Sequence, residues 1–140
     1  MNIEIRQFRP SDETDVVALW QEAGLIVPWN DPRKDIRRKL GAQPELFLVG
    51  LDGGRIVAVI MAGYDGHRGS IFYLAVTSDL QRRGIGRQMV EEAANRLKAM
   101  GCPKVNLSVR TSNRSVIEFY RKLGYTVDDV VSMGKRLEKD

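Results

Sequence analysis

Apolar and polar positions change period along this chain, and the changes mark its elements. From Asn2 to Phe8, Ile3, Ile5 and Phe8 alternate with polar residues, which predicts a strand. Pro10, Ser11 and Asp12 then open a helix, with Asp12 as its cap. Val16, Leu19, Trp20 and Ala23 fall on one face of that helix, and Gly24 stops it. Asp31-Pro32 starts a second, short helix, anchored only by Ile36 and Leu40. Leu46 to Tyr64 reads as two strands around Asp52-Gly53-Gly54, a strong hairpin signal. After the turn DGHRG (Asp65 to Gly69), Ile71 to Val76 is continuously apolar, as expected of a strand covered on both faces. Ile85, Met89, Ala93 and Leu97 recur at steps of four and predict a helix that ends at Gly101. Val105, Leu107 and Val109 alternate as another strand. Ser115 to Glu118 fits a capping box for a last helix through Leu123, and Tyr125 to Leu137 offers one or two closing strands.

The order is β-α-α-β-β-β-α-β-α-β. A hairpin-rich first half and βαβ units in the second imply an α/β fold, a mixed sheet with helices on both faces. With 140 residues, no repeats and no linker, residues 1–140 are expected to form a single domain. No apolar stretch approaches the ~20 residues of a membrane span, and the first ten residues lack a signal peptide's apolar segment. A single cysteine, Cys102, makes a reducing cytoplasm the expected compartment. One histidine and no Cys/His cluster argue against a metal site. The net charge of +4 mildly favours anionic partners but is too small to argue for nucleic acid.

The chemistry concentrates in QRRGIGR, Gln81 to Arg87, between the apolar strand and the helix that follows. The first turn of a helix leaves backbone N–H groups without partners, and its dipole adds about half a positive charge. Glycines admit close approach, and Arg82, Arg83 and Arg87 add forked donors. The stretch suits a phosphate or pyrophosphate; its plain alternative is a flexible basic loop. It is neither a P-loop nor a dinucleotide fingerprint, because Met89 takes the third glycine's place.

Q-x-x-G-x-G after a strand ending in Leu74-Ala75-Val76 resembles the acetyl-CoA pyrophosphate loop of the GNAT N-acetyltransferases. A second block, LSVRTSNRSVIEFYRKLGY (Leu107 to Tyr125), resembles the later motif of that family. PWNDP, YDGHRG and GCPK further resemble its small bacterial members of the YpeA type. The resemblance implies a GNAT fold, a mostly antiparallel central sheet splayed between its fourth and fifth strands. It implies acetyl-CoA as co-substrate and direct acetyl transfer to a primary amine, with no acyl-enzyme and no metal. The pantetheine arm would lie along Leu74, Ala75 and Val76. The pyrophosphate would sit on Gln81, Arg82, Arg83, Gly84, Ile85, Gly86 and Arg87.

Asn113 matches a position that touches the cofactor, and otherwise reads as a helix cap. Tyr120 matches the tyrosine that protonates the departing thiolate; its alternative is a core aromatic beside Phe119. Ser108 stands where N-terminal alanine acetyltransferases carry glutamate, so the strand carboxylate that would act as base is missing. The acceptor candidates are Trp29, Asn30 and Asp31 between the first two helices, Tyr64 and His67 around the turn, and Tyr73 on the central strand. Asp31 also reads as a cap and His67 as a turn residue. The alternative to an enzyme is an acetyl-CoA-binding sensor or interaction module. No nucleic-acid or membrane partner is expected, and Val127 to Met133 is the candidate surface for a homodimer.

Overall fold

The computed structural model describes residues 1–140 as two compact units, Met1–Asn106 with Asp140, and Leu107–Lys139. In the first unit, strands β1 (Glu4–Gln7), β2 (Phe47–Asp52), β3 (Arg55–Tyr64), β4 (Gly69–Val76) and β5 (Val105–Asn106) form one sheet in sequential order. The first four are antiparallel, and β5 runs parallel to β4. Helices α1 (Glu13–Glu22) and α2 (Pro32–Leu40) precede β2, and α3 (Ile85–Ala99) links β4 to β5. The β2–β3 hairpin turns at Gly53 and Gly54, with φ of 56° and 83°. Two successive positive φ values match the right-handed twist of the strands, which is why two glycines stand there.

Alternation along the strands gives the sheet two apolar faces. On one, Phe47, Val49, Leu51, Val59 and Met61 pack with Phe8, Val16, Leu19, Trp20 and Ile36. The rings of Phe8 and Phe47 stack 4.2 Å apart. The other parity of β2 carries Leu48 and Gly50, toward α3. Met89 comes so close that a Cβ on Gly50 would lie 3.0 Å from its sulfur. Ile85, Met89, Ala93 and Leu97 are all buried, so the four-residue period of α3 is its buried stripe. Full burial of a side chain the size of Ile85, Met89 or Leu97 contributes roughly 1.5–3 kcal/mol. That outweighs propensity in α2, whose charged sequence docks through Ile36.

Asp12 precedes α1 as expected, but its side chain does not cap it. The carboxylate turns back, accepting from the Arg9 backbone N–H at 2.8 Å and from both terminal guanidinium nitrogens of Arg6, Nη1 and Nη2. Asp31 does cap α2, accepting from the N–H of Arg33 at 2.9 Å, with Pro32 in the first turn.

Three expectations are corrected. The strand read over Val105, Leu107 and Val109 is limited to Val105–Asn106, because β5 pairs only with Gly69 and Ser70. A strand exists only where a neighbour completes its ladder, and the β4 ladder with β5 ends at Ser70, three residues before the bulge at Tyr73. In the second unit, α4 (Arg114–Lys122) is capped by Asn113, whose side chain accepts from the Val116 N–H, and not by Ser115. No closing strand forms between Tyr125 and Leu137. The period of two is broken by the adjacent Val130 and Val131, and Val127, Val131 and Met133 are 70%, 86% and 91% exposed.

Candidate active site

The centre of β4 is bulged. Val59 pairs with Ala75 and Met61 with Phe72, so Tyr73 and Leu74 together oppose Ile60. Tyr73 takes up the extra residue at φ 58°, the left-handed region, which costs a non-glycine residue about 1–2 kcal/mol. Four contacts hold it there. The Trp20 indole N–H donates to the Tyr73 carbonyl at 3.2 Å. The two rings stack 4.1 Å apart. The Tyr73 hydroxyl donates to Asp35 at 2.7 Å and accepts from the Asn30 amide at 2.8 Å. Burial, with the Asp35 carboxylate beside it, pushes the phenol well above its ordinary pKa, so it stays protonated. Strain held by a packed ring and a hydrogen-bond network is a mark of a functional position.

Tyr73 forms one wall of a cleft of about 660 Å³. α2 supplies Asp35, Arg38 and Lys39, the end of β3 supplies Gly63 and Tyr64, and β4 supplies Ser70 and Phe72. Gln43, at φ 58°, brackets the end of β3 by bonding both the N–H and the carbonyl of Tyr64 at 2.8 Å. Of the acceptor candidates, Tyr64 and Tyr73 line this cleft, and Asn30 reaches it through Tyr73. Trp29, Asp31 and His67 are not in its wall. Trp29 is 59% exposed, the Asp31 carboxylate caps α2, and the His67 backbone is fixed by Asp65 in the turn.

β4 leads to the glycine loop. Its ladder with β5 stops at Ser70, so Ile71 to Val76 have β3 as their only strand partner. The Gln81 side chain donates to the Val76 carbonyl at 2.7 Å and ties the loop to the strand end. Arg82 and Gly84 both adopt left-handed backbone, with φ of 62° and 78°. Such alternation turns successive N–H groups inward as a nest for anions. α3 has no side-chain cap. Its backbone bonding begins with the Gln88 N–H on the Gly84 carbonyl, which leaves the N–H groups of the first turn for a ligand. Arg82 and Arg83 are exposed, and Arg87 pairs with Glu91 one turn on at 2.8 Å.

The comparison with known families decides what this arrangement is. Residues 8–125 match the model of the acetyltransferase (GNAT) family. The chain belongs to this family. An acetyltransferase of Yersinia enterocolitica is 48% identical over 138 residues, covering 99% of this chain and 98% of the relative. Among solved structures, Ard1 from Thermoplasma volcanium superposes with a TM-score of 0.79 at 27% identity, over 91% of this chain and 85% of the other. A NatC complex bound to Gag peptide and CoA shares the fold, with a TM-score of 0.74 at 21% identity, over 88% of this chain and 84% of that one. This GNAT protein is therefore an acetyltransferase. No helix is long and apolar enough to cross a membrane.

Two expected site residues of this acetyltransferase lie in the second unit. Asn113 caps α4 with its side-chain oxygen. Tyr120 is the buried residue of α4, 7% exposed, and meets the rings of Phe119 and Tyr125 edge-on at 5.0 and 5.5 Å. Burial, then the neighbouring Tyr125, raises its phenol well above the ordinary value. Leu74 is the second residue of the bulge on β4, and Ala75 and Val76 follow it.

Sequence reasoning missed Asp35, Lys39, Gln43 and Ser70, all in the cleft wall. Lys39 left a signal: it falls three residues after Ile36 and beside Leu40, on the inward stripe of α2. A lysine on a buried stripe departs from the usual polar face.

Proposed function

We propose that this chain transfers the acetyl group of acetyl-CoA directly to a primary amine. The observation that carries the reading is the uncapped first turn of α3 behind two left-handed residues, Arg82 and Gly84. The pyrophosphate accepts from the N–H groups of Ile85, Gly86 and Arg87, with Gln81, Arg82, Arg83 and Gly84 around it. The pantetheine arm runs along Leu74, Ala75 and Val76, completing the edge of β4 as an added strand would. Asn113 contributes from the start of α4. The thioester carbonyl meets backbone N–H groups at the Tyr73–Leu74 bulge, where charge develops as the amine attacks.

The amine adds to the thioester carbon. The tetrahedral intermediate collapses by breaking the C–S bond, the nitrogen loses its proton, and the thiolate takes one from Tyr120. Tyr120, kept protonated by burial, is a donor at neutral pH. Ser108 leaves no carboxylate in the stretch just after β5. An α-amino group, titrating near 8, yields its proton to water far more readily than a lysine near 10.4.

Titration calorimetry with acetyl-CoA, CoA and ADP tests the reading. Micromolar binding of all three, weakened at least ~10-fold in Gly86→Glu, supports it. No binding of any would overturn it. Binding without turnover on a broad panel of amines would instead favour an acetyl-CoA sensor.

A further inference from the structure

The charges that line the cleft are not equally spoken for. Asp65 accepts from the backbone N–H groups of His67 and Arg68 at 2.7 Å and serves its own turn. Arg68 donates to the His67 carbonyl. Arg38 bonds Asp35 at 3.0 Å and Asp140 at 2.7 Å. Asp35 is engaged by Arg38, Tyr73 and Asn30. Lys39 alone among these ionised groups has neither a salt bridge nor a hydrogen bond, although it is only 8% exposed.

Its ammonium is directed at a place prepared for something else. Gly63, near the end of β3, has no side chain, and three polar tips gather over its α-carbon. A Cβ built there would lie 3.8 Å from Lys39 Nζ, 3.8 Å from Ser70 Oγ and 3.7 Å from Gln43 Oε1. Gln43 is occupied by the backbone of Tyr64, whereas the Ser70 hydroxyl has no protein partner. An ammonium and a free hydroxyl thus converge beside a glycine, inside the cleft that Tyr73 also lines. Burying a lone ammonium is costly unless a counter-charge joins it. Burial pulls Lys39 below the ordinary lysine range, and the attraction of Glu45 restores only part of the loss.

We propose that Lys39 and Ser70 bind an oxyanion of the acetyl acceptor, so that the substrate is a small amine carrying a carboxylate or phosphate. The proposal rests on the acetyltransferase reading of the same cleft. The amine lies at the Tyr73–Asp35 end and the anion at the Lys39–Ser70 end. Asp35 and Lys39 are one helical turn apart, about 6 Å along the axis. Ser70 and Tyr73 are three strand residues apart, about 10 Å at most. The acceptor therefore spans about 6–10 Å from nitrogen to anion, the length of about two extended residues. Ser70 donates one hydrogen bond and Lys39 supplies charge; with no guanidinium fork, the site accepts oxyanions without demanding a planar one.

Glycylglycine, glycylglycinamide and glycyl-aminoethyl phosphate form a matched set of acceptors. Initial rates with acetyl-CoA should give the two anionic compounds a kcat/KM at least ~10-fold above the amide, carried by KM. The better of the two identifies the anion as carboxylate or phosphate. In Lys39→Met, which keeps the volume of the side chain, the ratio of anionic to neutral acceptor should fall to near one; Ser70→Ala should lower it in the same direction. Lys39→Arg should retain part of the preference. Equal rates for all three acceptors, or a ratio unchanged in Lys39→Met, would overturn the proposal. A second readout does not depend on turnover. Inorganic phosphate should protect Lys39, but not exposed Lys98, from acetic anhydride, as read by mass spectrometry. Loss of acetyl-CoA binding with phosphate protection intact would sink the enzymatic reading while leaving the anion site. Acetyl-CoA binding with no protection of Lys39 would sink the anion site alone.

Discussion

The indole N–H of Trp20, on α1, donates to the main-chain carbonyl of Tyr73, 53 residues later on β4, at 3.2 Å. This bond fixes the one non-glycine residue of the sheet with a left-handed backbone. It ties the strain at the bulge to the packing of the core, because the same indole is fully buried against Phe47.

Trp20→Phe keeps an aromatic ring but removes the donor and part of the volume. It should lower stability by about 2–4 kcal/mol, read by urea unfolding. If the bulge positions the thioester carbonyl, kcat should fall more than the affinity for acetyl-CoA. An unchanged kcat in the folded variant would detach the bulge from catalysis.

Tyr73→Phe is a finer cut. The ring and its stack on Trp20 remain, and only the hydroxyl between Asn30 and Asp35 goes. Stability should drop by about 1 kcal/mol, the net worth of a lost hydrogen bond. Acceptor KM should rise while acetyl-CoA binding in the calorimeter stays the same. The opposite split would move Tyr73 to the cofactor side.

Tyr120→Phe should reduce kcat by about 100-fold or more, with a thermal midpoint within a few degrees of the parent. Because the phenol is raised above its ordinary value near 10, no loss of rate on the alkaline side should trace to it below about pH 10. A variant with parental kcat would reduce Tyr120 to a packing residue beside Phe119 and Tyr125.

Asp12 supplies a pH signature of stability. The hydrogen bond from Arg6, then that from the Arg9 backbone, holds its carboxyl below 3.8. A depressed carboxyl stabilises the fold above its unfolded pKa and loses that contribution as pH falls through the folded one. The parent should therefore lose stability below about pH 4, and Asp12→Asn should flatten that limb of the curve. At pH 7 the substitution should cost about 1–3 kcal/mol, because it strands the partly buried Arg6. A parallel pair of curves would refute the assignment.

Elements held by local rules were readable from the residues alone. The four-residue stripe of α3, the double-glycine turn after Asp52 and the Asp31-Pro32 helix start each follow from their own few residues. So does the glycine helix start in QRRGIGR, where α3 begins at Ile85 behind a left-handed Gly84. The left-handed Tyr73 left no trace, because tyrosine disfavours that region and only Trp20, Asn30 and Asp35 impose it. The hidden Lys39 was masked by its neighbours: in PRKDIRRKL one inward cation looks like the rest. The closing strands failed for the reverse reason, as Val127 to Met133 has composition suited to a strand but forms no ladder.

With the pantetheine arm placed along β4 as proposed, the early end of the β4–β5 ladder would make the cofactor a structural ligand as well as a substrate. A strand with one unpaired edge is a template for association with any other extended chain, a second molecule of the same protein included. An acyl-CoA lying along Leu74 to Val76 would occupy that template. At about 100 times its dissociation constant, such a ligand adds about 2.7 kcal/mol to the folded state by mass action. Shelf life and resistance to clumping should then follow the nucleotide content of the buffer, and a preparation stripped of CoA should be the first to precipitate.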